Sequence, residues 1–141
     1  MCLAKIEIQH VTPSSGIKIG WKVCVVTGDG KLHNPYPGTT TVTFFYQVNV
    51  WAPDMCTKQL VATNKQGHYL TGFHIYTNKE DGIHSLDYFQ GQGAYGWKYV
   101  LRKVEYDNVT AEGEDSNGGY TIVARRIKVL PHVSNHSEWK V

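Results

Sequence analysis

The stretch from Ile17 to Val25 constrains this chain most. Ile17, Ile19, Trp21, Val23 and Val25 recur at period two, which places all five on one face of a strand. The "GDG" that follows makes a tight turn. The rest of the chain is then read by asking which segments can pair with this strand.

Several can. "CLAKIEIQHV" alternates in part and is ended by "TPSSG". "TTVTFFYQVNVWA" is β-branched and aromatic throughout, the pattern of a strand buried on both faces. "HYLTGFHIYT" is a short extended segment broken at Gly72. "WKYVLRKVEYDNVTAEG" sets Trp97, Tyr99, Leu101 and Lys103 on one face and Lys98, Val100, Arg102 and Val104 on the other. "EDSNGG" is a hairpin turn leading into a final strand, "YTIVARRIKV", stopped by Pro131. "PDMCTKQLVATNKQG" fits either a short helix or an irregular excursion.

Only one segment reads as a good helix, over about residues 78–89. Thr77 or Asn78 serves as N-cap, with Glu80 and Asp81 in the first turn, where carboxylates suit the helix dipole. Ile83, Leu86 and Phe89 supply the apolar face. Gly82 costs about 1 kcal/mol against alanine. Strands, one helix after the middle, then strands predict an α+β fold with a mostly antiparallel twisted sheet. The 141 residues form a single domain, with a loosely held tail from about residue 131.

Bulk properties exclude several classes. A formal net charge of +2 is too small for wrapping duplex nucleic acid. No apolar run approaches the ~18 residues of a membrane span. Three unclustered cysteines, Cys2, Cys24 and Cys56, form neither a disulfide framework nor a zinc motif. No leader is apparent at the start, and a reducing, cytoplasmic compartment is expected. The seven histidines are scattered. Phosphate-loop, dinucleotide and nucleophile-elbow motifs are all missing, so neither a metal nor a cofactor is expected. "VCVV" makes Cys24 an inert core residue.

The order "GWKV", "YLTGFHIYTNKEDG", "VLRKVEYDNVTAEG", "YTIVARRIKVL" resembles a group of small phage and bacterial proteins over roughly residues 17–130. More distantly it resembles ADP-ribosyltransferase-like folds, where a glycine–aromatic segment leads into a helix. That second resemblance implies that Gly72, Phe73 and His74 border a cleft shaped for nicotinamide or ADP-ribose.

A phage origin suggests a counter-defence protein that sequesters a nucleotide-like signal without turnover. Such a protein needs aromatic faces for bases and cations for phosphates. Trp21, Tyr36, Phe73 and Tyr76 are the stacking candidates; Lys22, His74, Arg102, Arg125 and Arg126 are the polar ones, with at most one of the last two facing a given pocket. Strict alternation puts Arg125 and Arg126 on opposite faces of the last strand. Packed roles compete for Trp21, Phe73 and His74, and the expectation is Phe73 packed with His74 at the lip of a cleft. Two alternatives stand beside this reading. One is an enzyme of the ADP-ribosyltransferase type using Glu105 or Glu112. The other is a protein-binding inhibitor of a host defence enzyme. A homo-oligomer built on the "FFYQVNVW" edge is compatible with the first reading.

Overall fold

A computed structural model describes residues 3–28, 30–33, 45–52, 60–63, 67–70, 72–92 and 98–131. The elements run β1 (Lys5–Ser14), β2 (Lys18–Val26), β3 (Leu32–His33), β4 (Leu60–Thr63), β5 (Gly67–Leu70), β6 (Phe73–Tyr76), α1 (Lys79–Gln92), β7 (Lys98–Glu114) and β8 (Tyr120–Val129). The expected α+β architecture, an antiparallel sheet with one main helix, is what forms.

β7 organises the sheet. The second half of β7 carries β1, its first half carries β2, and β8 returns along it as a hairpin. β1 and β2 therefore lie end to end against one long strand. Gly16 makes the step between them, at a φ of 128° that a side chain would strain. The carboxylate of Asp107 on β7 accepts the Gly16 N–H at 2.8 Å and pins the step. β1 runs on through Pro13 to Ser14, beyond the expected stop. Proline is tolerated there because β1 is an edge strand.

The ladder then closes. β8 pairs with β6, and β6 returns to β2 through the Trp21–Tyr76 bridge, so β2, β7, β8 and β6 form a ring. The far end of the ring is closed differently. Leu32 bridges Tyr46 and Trp51 bridges Lys128, while Ala52 N–H donates to the Ile127 carbonyl at 2.8 Å. Here the expectation of a strand over 40–52 needs correction. Within the described part, residues 45–52 make isolated bridges around a turn, with Asn49 at a φ of 65°. Val48 and Val50 are 41% and 50% exposed, so apolar content alone misread a wall-closing loop as a buried strand. Residues 39–44 lie outside the described residues.

Between Ala52 and Phe73 the described residues form the β4–β5 hairpin, and Phe73 pairs with Ala124 on β8. The ambiguous segment before Gly72 thus contains a strand, and no helix appears among its described residues.

Inside the ring lies the larger core: Cys24, Phe73, Ile75, Val100, Val104, Tyr106, Val109, Ile122, Ala124, Ile127 and Val129, joined by Leu32 and Tyr46. On its outer face α1 covers Val23, Val25, Tyr99 and Leu101 with Leu86 and Phe89, and Trp21 and Ile83 pack at the border. Gly82 is required by this contact, because a Cβ there would sit 2.8 Å from Leu101 Cδ1. Asn78 is the N-cap: its Oδ1 accepts the Asp81 N–H at 2.8 Å, and its Nδ2 donates back to Asp81 Oδ2.

Alternation slips in two paired strands together. Tyr106 and Val109 both reach the inner core although Asp107 and Asn108 separate them, and Asn108 takes a φ of 58°. Opposite, Ala124 and Ile127 both reach that core. Arg125 and Arg126 stand between these two inward residues, and Arg126 pairs with Asp107 on the outer face.

Candidate functional site

The described ligand candidates do not converge on one site. Phe73 is buried inside the ring, tilted against Tyr46 at 6.0 Å between centroids. Lys22 and Arg102 are also buried; they oppose each other as cross-strand partners. Lys22 Nζ donates to the His74 carbonyl at 3.1 Å, and an Arg102 N–H donates to the Leu130 carbonyl. Their neighbour Cys24 has its thiol pushed up to about 11 by burial, against the opposing effect of the two cations, which keeps it protonated.

Trp21, His74 and Tyr76 belong to the opposite face of the sheet. His74 Nδ1–H donates to the Gly72 carbonyl at 3.1 Å. Burial, with Lys22 nearby, lowers its imidazole to about 3, so it is neutral at ordinary pH. The Tyr76 hydroxyl donates to Asp115 Oδ2 at 2.5 Å. Tyr36 lies outside the described residues. Arg125 is half-buried on β8.

A different aromatic–cation group does assemble, on the outer face beyond the end of α1. Trp51 is half-buried, with the Arg126 guanidinium 4.4 Å and the Lys128 ammonium 5.4 Å from its ring centroid. Arg126 and Lys128 are two apart on β8 and so share a face, while Ile127 and Val129 point into the core. Each cation is backed by a carboxylate on β7: Asp107 to Arg126 at 3.4 Å, and Glu105 to Lys128 at 2.8 Å. These pairs leave donors over. A guanidinium has five N–H groups and an ammonium three. Lys103 extends the row towards Trp21, 6.0 Å from its ring. The two-residue spacing of Arg126 and Lys128 was visible in the sequence, whereas the approach of Trp51 depends on a bridge between distant segments.

The two carboxylates considered for catalysis are both engaged. Glu105 holds Lys128. Glu112 meets His10 Nε2 at 3.1 Å through one oxygen and accepts the Tyr120 hydroxyl at 2.9 Å through the other. Burial and the bond to Glu112 push the Tyr120 phenol up to about 12, so it remains a donor.

A second concave feature lies at the head of α1, a pocket of roughly 160 Å³ between the helix and the Asp115–Gly119 turn. Asp115 is buried and organises the turn: its Oδ1 accepts the N–H groups of Asn117 and Gly119 at 2.9 and 2.8 Å. Among the described residues no group of three or more histidine, cysteine or carboxylate side chains could hold a metal ion. No described helix is long and apolar enough to cross a membrane. No family model, curated protein or solved structure matches the chain.

Proposed function

We propose that the protein captures a nucleotide-like ligand on the outer face around Trp51 and releases it unchanged. The observation that carries this reading is the placement of Arg126 and Lys128 over one indole ring. An aromatic face stacks on a base, and cations beside it meet phosphate. The carboxylates behind the two cations hold them in position before a ligand arrives, which lowers the ordering cost of binding. The engagement of Glu105 and Glu112 in pairs supports capture over turnover. Physiologically, such capture withholds a nucleotide signal from its receptor, the role of a counter-defence protein.

Native mass spectrometry of the full chain with cyclic di- and trinucleotides and ADP-ribose derivatives tests this, followed by heating and mass analysis of what is released. The expected result is a bound species recovered intact, and its loss in Trp51→Ala. A ligand released with altered mass makes the protein an enzyme. No bound nucleotide at all points to a protein target.

A further inference from the structure

Trp51 is one of two indoles on the outer face that stand beside a cation. The other is Trp21 on β2, half-buried at the border of α1. Its Nε1 is buried and meets no hydrogen-bond partner among the described residues, so the ring turns that edge inward. Its face lies beneath Lys103, which is exposed on β7 with the ammonium 6.0 Å from the ring centroid. The two indole–cation units share one face of the sheet but occupy different places on it.

Strand register fixes how they are spaced. Trp21 is the cross-strand partner of Lys103, Glu105 is that of Lys128, and Trp51 bridges Lys128. Both β7 and β8 therefore lie between the rings. Three strand steps of about 4.8 Å put the two tryptophans roughly 14 Å apart, too far for one base to touch both. The ground between them is charged. Arg126 and Lys128 on β8 and Lys103 on β7 face Glu105 and Asp107, each of which is tied to one of the β8 cations. Three cations against two carboxylates leave the strip net positive, with a cation beside each ring.

We infer that the ligand of this face is a single-stranded oligonucleotide, with one base on Trp51, a later base on Trp21 and the linking phosphates over Arg126, Lys128 and Lys103. The inference rests on the Trp51 reading and adds a second subsite to it. Every base has a π-face, and each link of the chain carries a negative charge, so indoles separated by cations match such a chain. A single nucleotide leaves Trp21 and Lys103 unused. The bases of a duplex are stacked on one another and cannot lie on either indole.

Isothermal titration of the full chain with AMP, linear oligoadenylates of increasing length and inorganic polyphosphate tests this. Affinity should rise about tenfold between AMP and the shortest chain that spans both rings, the effect of one further stacked base, and then level off. Trp21→Leu, which keeps an apolar side chain against α1, should abolish that rise. Lys103→Ala removes an exposed side chain and keeps the fold; it should reduce the rise several-fold and flatten its salt dependence. AMP bound as tightly as every oligoadenylate overturns the inference and leaves the Trp51 reading standing. So does a rise that survives Trp21→Leu, or that survives Lys103→Ala where the leucine variant does not fold. An equal rise along polyphosphate also overturns it, because charge alone would then read the length. If neither AMP nor any oligoadenylate binds, the Trp51 reading fails and the inference with it.

Discussion

The outer face of the ring divides into two halves built from the same strands. Under α1, β2 and β7 present Val23, Val25, Tyr99 and Leu101 to a helix, and all four are buried. Past the helix, the same face carries Ile17 and Ile19, 60% and 42% exposed, with Glu105 and Asp107 on β7 and Arg126 and Lys128 on β8. Ile17 to Val25 thus has one unbroken sequence pattern and two fates. Alternation decides which face a side chain takes; the length and position of the covering helix decide whether that face is buried. The uncovered half is where charge and an aromatic ring gather.

Leu101→Ala should destabilise the protein by about 2–5 kcal/mol, because it opens a cavity beneath α1. Ile19→Ala, on the same face, should cost no more than roughly 0.5 kcal/mol. Urea unfolding of the two variants measures the difference directly; equal losses would mean that the helix does not divide the face. A gentler disturbance is Gly82→Ala, whose added carbon would meet Leu101. It should cost about 1–3 kcal/mol through overpacking, although alanine is the better helix former. A gain in stability would show that α1 can slide without penalty.

On the uncovered half, Arg126→Ala should change stability by no more than about 1 kcal/mol, as expected for a partly exposed ion pair. Its effect should appear instead as weaker nucleotide binding, read by titration. A large fall in melting temperature with binding intact would assign Arg126 to structure. His74 shows the smallest effect at neutral pH and emerges only in acid. Its imidazole is near 3 in the fold and near 6.5 in the unfolded chain. The unfolded state therefore takes up the proton first, and stability falls as pH drops from about 6.5 towards 3. His74→Gln should flatten that part of the stability profile; an identical profile would mean His74 is not held neutral.

Much of the fold was legible because its signals are local. The period of β2, the Asn78 cap with its first-turn carboxylates, and the "EDSNGG" turn each need only neighbouring residues. What escaped depends on distant ones. The apolar run through Tyr46 and Trp51 reads as a strand because nothing nearby shows that its bridges go singly to Leu32 and Lys128. Helix propensity could not reveal that Gly82 sits against Leu101. Asn108, an allowed residue for a positive φ, is the available hint that alternation slips where Tyr106 and Val109 both turn inward. Trp51 was overlooked for the same reason: its partners lie on the last strand.

The departure and return of the chain around the β4–β5 hairpin carry a consequence for modularity. Ala52 hydrogen-bonds to Ile127, and Phe73 pairs with Ala124, so the detour begins and ends at nearly one point on the edge of β8. Among the described elements, the hairpin's main contact outside itself is β5 against β7. Closing a loop whose ends already meet adds little entropic cost with length. The ring can therefore be treated as a chassis with one docking port, where segments of different length can be grafted, shortened or exchanged while the strand pairings on either side keep their register.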